Sequence, residues 1–279
     1  MQRIKLTLAY DGTKFAGWQL QPGLRTVQGV LEAAVTHMIG HVPGAPLTPD
    51  GFIRLHASGR TDSGVHASGQ VAHFDAPDAR RGFPWQKALN GNLPPDVSVV
   101  DVEQVPRAFH ARFSVRAKTY AYTLWHEPGY VLPQRRPFVW KCGPVDFAAM
   151  EEAARIFLGE HDFAAFRNTG SEVESTVRTL LELRCSPGLL PQESIWHFRA
   201  TGFLKQMVRN LMGCLVAVGQ GKVNPGKVRS YLQEGDRTAA PATAPAQGLC
   251  LERVEYPVFP SKGAARDEHQ MDSGNTERT

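Results

Sequence analysis

Apolar residues along this chain change spacing in a fixed order, and the order runs twice. Over residues 3–10 they alternate with polar ones. Val27, Val30, Leu31, Ala34, Val35 and Met38 then fall at helical intervals. Alternation returns over residues 52–56 and 70–74, a short helix is expected over 84–89, and residues 97–105 alternate again. A period of two marks a half-buried strand, and one near 3.6 marks a helix with one apolar face. The punctuation agrees. Asp11-Gly12 is a turn, Thr26 suits a helix N-cap, Pro84 suits a first helical turn, and Pro94-Pro95-Asp96 breaks the chain. Strand, helix, strand, strand, helix, strand is the order of a ferredoxin-like βαββαβ unit.

The second half repeats the order without repeating the residues. Residues 114–125 alternate, with Tyr120, Tyr122 and Leu124 on one face. Asp146 caps a helix carrying Phe147, Met150, Ala154 and Phe157, which Gly159 closes. After a loop over 161–170, strands are expected at 176–185 and 194–201. An apolar helix over 206–218 carries Arg209 near its start, a short helix spans 225–233, and a last strand covers 249–256. The expected class is α+β. Two ferredoxin-like βαββαβ subdomains, 1–105 and 106–260, form one broad, mostly antiparallel sheet with helices on one face and a central cleft. Residues 261–279 show no periodicity and are expected to be a disordered tail.

Composition excludes little. Among 279 residues, 31 Lys and Arg against 27 Asp and Glu give a net charge of +4, which permits a nucleic-acid partner without requiring one. The apolar run near 211–218 is too short to span a bilayer. Met1 leads directly into a strand pattern, so no leader segment and no membrane association are expected. Cys142, Cys185, Cys214 and Cys250 form no C-x-x-C pair, which fits reduced thiols and a cytoplasmic location.

The residues richest in chemistry are Gly59-Arg60-Thr61-Asp62-Ser63-Gly64-Val65-His66-Ala67, a tight loop between two strands. Arg60 and Asp62 can lie on one side of an extended chain. Two readings stay open: a polar turn closed by an ion pair, or a charged pair serving a reaction. The segment Phe15-Ala16-Gly17-Trp18-Gln19 is similarly open between an aromatic lid on the core and a nucleic-acid contact. The histidines are dispersed, and no Cys or carboxylate stands at ligand spacing, so no metal is expected. Ala57-Ser58-Gly59 and Ala67-Ser68-Gly69 lack the G-x-S-x-G pattern of a nucleophile elbow, and no phosphate-binding loop or dinucleotide fingerprint occurs. What remains is carboxylate chemistry with Asp62 as nucleophile or as stabiliser of an electron-poor sugar carbon. Glycosidases use two acids for such work, and no second acid stands in a comparable context.

Several segments, taken in order, resemble one family. They are Tyr10-Asp11-Gly12-Thr13 with Phe15 and Gly17-Trp18-Gln19; Arg25-Thr26-Val27-Gln28; Gly59 to Asp62 with Gly64-Val65-His66-Ala67; Ala88-Leu89-Asn90; Phe109 to Ser114 with Lys118, Tyr120 and Tyr122; His161-Asp162-Phe163; Gly202-Phe203-Leu204 with Met207-Val208-Arg209-Asn210; and Ala244-Pro245-Ala246 with Gly248-Leu249. Together they resemble the TruA family of tRNA pseudouridine synthases over residues 3 to about 256. The resemblance implies a cofactor-independent isomerase that converts uridine to pseudouridine at positions 38, 39 and 40 of the tRNA anticodon stem-loop and works as a homodimer. It implies that Asp62 is the catalytic aspartate, that Arg60 helps place it and assists base extrusion, and that Arg209 pairs with it. Tyr120 would stack on the uracil and assist proton removal, and Leu249 would line the uracil pocket. Lys118 matches the family pattern and is a further candidate for substrate contact. The cleft then becomes the RNA-binding one, with Arg112, Arg116, Arg135, Arg136, Lys141 and Lys205 as candidates for phosphate contact, against the alternative of an ordinary solvated surface. A non-catalytic tRNA-binding or chaperone protein of the same fold is the alternative function. The chain departs from the family at Ser63, where alanine is usual, in a longer 40–52 loop, and in the tail past Phe259.

Overall fold

The computed structural model describes residues 1–168 and 173–259. Their strands are β1 (Gln2–Tyr10), β2 (His56–Ala57), β3 (His66–Ala76), β4 (Val97–Val105), β5 (Ala117–Trp125), β6 (Trp140–Lys141), β7 (Gly159–Asp162), β8 (Val177–Pro187), β9 (Glu193–Ala200) and β10 (Leu249–Glu255). The helices are α1 (Val27–Ile39), α2 (Trp85–Asn90), α3 (Phe147–Phe157), α4 (Met207–Gly219) and α5 (Lys227–Glu234). The strands build one mixed but mostly antiparallel sheet, with few helices packed on it, in the order β4-β1-β3-β10-β5-β9-β8-β7. β2 attaches to β3 and β6 to β5. The tail over 261–279 and the end of the 161–170 loop lie outside the described residues.

Local chemistry accounts for the elements. β1 alternates between buried and half-buried positions, so Ile4, Leu6 and Leu8 enter the core. The Thr26 hydroxyl accepts from the Gly29 amide at 3.2 Å, and the Asp146 carboxylate accepts from the Ala149 amide at 3.1 Å; each satisfies a helix donor that has no partner of its own. α1 buries Val27, Leu31, Val35 and Ile39 completely, each worth roughly 1.5–3 kcal/mol.

Residues 52–56 depart from expectation. Apart from one bridge between Leu47 and Ile53, only His56 and Ala57 pair as strand, against His73 and Ala72. Ile53 and Leu55 are buried alternately, as a strand would have them. Their amides, however, donate to α1 side chains: Ile53 to the Thr36 hydroxyl at 2.8 Å and Leu55 to the Glu32 carboxylate at 3.0 Å. With those donors used there is no ladder for a longer strand. Conversely, Gly159–Asp162 pairs with β8 although its residues carry no alternating apolar signal.

The seam between the halves sets which loops face each other. β3 and β10 meet in parallel, with His66 opposite Cys250 and Ala67 opposite Leu251, and β10 runs antiparallel to β5. Parallel strands start at the same end. The Gly59–Gly64 loop, which leads into β3, therefore lies beside the coil over 240–248 that leads into β10.

Candidate active site

The loop bearing Asp62 is held from below by the connection between β1 and α1. The Trp18 amide donates to the Thr61 carbonyl at 3.0 Å. The Phe15 carbonyl accepts from the Gly64 amide at 3.3 Å and from the Ser63 hydroxyl at 3.2 Å. The Thr61 hydroxyl meets the Tyr10 hydroxyl, buried, at 2.9 Å. Contact is close enough to exclude side chains. A Cβ on Gly17, whose φ is +93°, would stand 2.7 Å from the Thr61 carbonyl oxygen and 3.1 Å from the Asp62 carbonyl carbon. Phe15 and Trp18 are both buried, so this aromatic segment belongs to the core under the loop. α1 secures it in turn, since the Val27 and Gln28 amides donate to the Gly17 and Trp18 carbonyls. Arg25 lies 4.0 Å over the Phe15 ring and pairs with both oxygens of Asp96 at 2.8 Å.

Across the seam, Arg209 Nη1 stands 3.4 Å from Asp62 Oδ2, with side chains 15% and 30% exposed. The two residues are 147 positions apart in sequence. Arg209 is tied twice to Ala244: its Nε donates to the Ala244 carbonyl at 2.8 Å, and its own carbonyl accepts from the Ala244 amide at 3.0 Å. It sits in the first turn of α4, where a cation opposes the helix dipole. Helix stability does not explain it there; a half-buried carboxylate in front of it does.

Arg60 does not form the pair with Asp62 that one-sided spacing suggested. It is exposed, and among the described residues it makes no ion pair. Thr61, between them, is drawn into the core by its hydroxyl and its carbonyl. Asp62 meets a guanidinium already fixed at Ala244, whereas an exposed arginine gains little from pairing.

Tyr120 is buried on β5, opposite Leu251 on one side and Phe198 on the other, with its ring edge-on to Phe203 at 5.2 Å. Burial pushes its pKa up, reinforced by Tyr10 and the Asp62 charge. Leu249 is buried at the start of β10, opposite Tyr122. The Lys118 Nζ donates to the Ser58 carbonyl at 2.8 Å and occupies the space a Gly59 side chain would need. Burial, with a smaller contribution from Arg112, pulls the Lys118 pKa down to about 8. Arg112 is exposed, 5.6 Å over the exposed ring of Phe113, and Lys205 is exposed just ahead of α4. Arg116, Arg136 and Lys141 are also at the surface. Arg135 differs, because it is engaged at 2.5 Å by Glu193, whose side chain is fully buried.

Spacing did not single out Tyr10 or the Ala244 carbonyl as parts of the site. Tyr10 ends an alternating strand, which hides its hydroxyl, and a backbone carbonyl leaves no mark in a sequence. Asn210 offered a signal, since it is a fully buried amide on the apolar helix α4.

Comparison with known proteins bears on this site. A family model described as tRNA pseudouridine synthase matches residues 7–114 and 153–257. The tRNA pseudouridine synthase A of Maridesulfovibrio salexigens is 57% identical over 256 residues, covering 92% of this chain and 91% of the relative. That of Solidesulfovibrio magneticus is 54% identical over 261 residues, with 92% of each chain covered. The enzyme of that name from Geobacillus kaustophilus is 41% identical over 257 residues, covering 91% of this chain and 95% of the relative.

Proposed function

The chain belongs to the tRNA pseudouridine synthase family, and on that footing we propose that the Asp62–Arg209 pair is the centre at which it isomerises uridine in tRNA. The reaction conserves atoms. The bond from ribose C1′ to uracil N1 breaks, a bond from C1′ to C5 forms, the C5 proton leaves, and N1 takes one up. No redox equivalent is needed. The observation that carries the proposal is the 3.4 Å approach of Arg209 to Asp62 across the seam.

Each residue takes a role its surroundings support. Asp62 serves the sugar carbon as the glycosidic bond breaks. Arg209 fixes the orientation of that carboxylate, with its own orientation fixed at Ala244. Tyr120 is the stacking surface for the uracil. Its phenol is protonated at neutral pH already at the ordinary value near 10, and burial pushes the pKa further up, so it acts as a surface and hydrogen-bond donor rather than as a standing base. Leu249 closes the uracil pocket. Arg60, exposed on the loop, is available to fill the stack from which the base is drawn, an extrusion that costs a few kcal/mol. Arg112 and Lys205 contact the RNA backbone, and Lys118, its ammonium bonded to the Ser58 carbonyl beside the Asp62 loop, contributes to substrate contact from within the site.

The finer assignments belong to the same proposal. The substrate region is the anticodon stem-loop at positions 38, 39 and 40, and the working form is a homodimer in the cytoplasm. The halves 1–105 and 106–260 are two ferredoxin-like units flanking the cleft. The strand order supports this, since β4-β1-β3-β2 and β10-β5-β9-β8 both place the fourth strand beside the first and the third beside the second. The test is to map pseudouridine at single-nucleotide resolution in unmodified tRNA incubated with the wild type and with Asp62→Ala. Product at 38–40 from the wild type and none from the variant is expected. Equal product from both would refute the assignment of Asp62.

A further inference from the structure

Arg209 owes its orientation to Ala244, yet Ala244 lies in coil, between Pro241 and Pro245. On its far side the Tyr122 hydroxyl donates to the Pro245 carbonyl at 2.6 Å, and on its near side one guanidinium gathers residues 240–243. Arg237 Nη1 donates to the carbonyls of Ala240 at 3.1 Å and Pro241 at 3.0 Å. Its Nη2 donates to the Thr243 hydroxyl and to the Asn210 side-chain oxygen, both at 3.1 Å. Its Nε donates to the Asn168 side-chain oxygen at 3.3 Å. The Thr243 hydroxyl donates to the same Asn210 oxygen at 2.6 Å, and the Asn210 amide nitrogen donates to Asn168 at 2.9 Å and to the Phe166 carbonyl at 2.8 Å. Asn168 in turn bonds Gln206, which precedes α4 with φ of +60°.

Two features set this cluster apart from ordinary structural polarity. The first is charge: these partners of Arg237 are all neutral oxygens, and no carboxylate pairs with it among the described residues, so Coulomb attraction to a counter-ion does not explain it. A planar fork with donors in fixed directions is suited to setting the relative position of several groups. The second is what the fork joins, namely the coil that orients Arg209 and the residue next to Arg209 on α4. The approach is tight: a Cβ on Gly213 would stand 2.0 Å from the Ala242 carbonyl oxygen.

We infer that Arg237, with Asn210 and Thr243, is a positioning set for Arg209. It holds the Ala244 carbonyl where it turns the Arg209 guanidinium onto Asp62. The inference rests on the catalytic reading of the Asp62–Arg209 pair and adds to it the residues on which that pair depends.

A double-mutant cycle separates positioning from general support. Single-turnover isomerisation is followed at saturating tRNA, with tRNA affinity and melting temperature measured alongside. Arg237→Met removes the fork while keeping length. With Arg209 present it is expected to slow the reaction roughly 10- to 100-fold, the scale for a misplacement near 1 Å, and to change tRNA affinity less than about threefold. In an Arg209→Met background the same change is expected to cost no more than about twofold, because the group it positions is gone. Thr243→Val, which removes one hydroxyl, gives a smaller loss with the same dependence on Arg209 and carries the cycle if Arg237→Met does not fold. Equal losses in both backgrounds, or no loss with Arg209 present, would overturn the inference and leave the Asp62–Arg209 reading standing. Full activity of Arg209→Met alone would overturn both.

Discussion

Replacing Gly17 by alanine is expected to slow isomerisation roughly tenfold although every side chain assigned to the chemistry is kept. The new Cβ would stand 2.7 Å from the Thr61 carbonyl oxygen, and ordinary contact begins at 3.4 Å, so the segment and the Asp62 loop must separate by about 0.7 Å. The neighbour is backbone, which cannot swing away as a flexible side chain can. A misplacement of 1 Å at a reacting group costs on the order of 100-fold, so a shift somewhat smaller than that costs about tenfold. The φ of +93° adds a backbone penalty of roughly 1–2 kcal/mol, which in a chain of this size lowers the melting temperature by about 2–8 °C. Gly23→Ala is the control. Its φ is +72°, and nothing stands within 4 Å of its added Cβ, so it carries the backbone penalty alone. The assay is single-turnover isomerisation at saturating tRNA, with thermal melts of both variants. Gly23→Ala should lose stability and keep its rate, while Gly17→Ala should lose both. A Gly17→Ala rate within twofold of wild type would refute the claim that this segment sets the position of Asp62.

Other consequences are as specific. Tyr10→Phe leaves the buried Thr61 hydroxyl without its 2.9 Å partner and should cost about 1 kcal/mol by denaturant titration. Arg112→Ala and Lys205→Ala should each weaken tRNA binding and reduce the slope of log affinity against log salt by about 0.7–0.9, as loss of one phosphate contact does. Acid should destabilise the protein through His73. Burial, with the charge of Arg3 and the neighbours His110 and His56, pulls its pKa down to about 3 from the ordinary 6.5, while Asp75 opposes the shift. The unfolded chain binds this proton and the folded chain does not, so the stability is present above pH 6.5 and is lost as pH falls toward 3. His73→Asn keeps a side-chain acceptor for the Ala111 amide but takes up no proton, and it should flatten the melting-temperature profile in that window.

Much of the fold was legible because it is written in periodicity. The expected 97–105 strand matches β4 and the Asp146-capped helix matches α3, since alternation and capping are local signals. Two of the failures share a cause, which is that a distant residue took over a local group. Thr36 and Glu32 took the amides of Ile53 and Leu55, so alternating burial did not become a strand. Arg209 took Asp62, so the neighbour Arg60 was left in solvent. At the site, residue types with chemistry stood out, and backbone partners did not. The Ala244 carbonyl and the close face of Gly17 enter the proposed site by position alone. Arg237, between two helical patterns and a Pro-containing coil, has no local pattern to mark it.

The most direct test of the account is tritium release from tRNA labelled at uracil C5, because C5 must lose its hydrogen whichever route the sugar carbon takes. Wild type should release the label, and Asp62→Ala should release none while still binding tRNA with near wild-type affinity. Undiminished release by Asp62→Ala would contradict the claim that this carboxylate, set by Arg209 across the seam, carries the reaction.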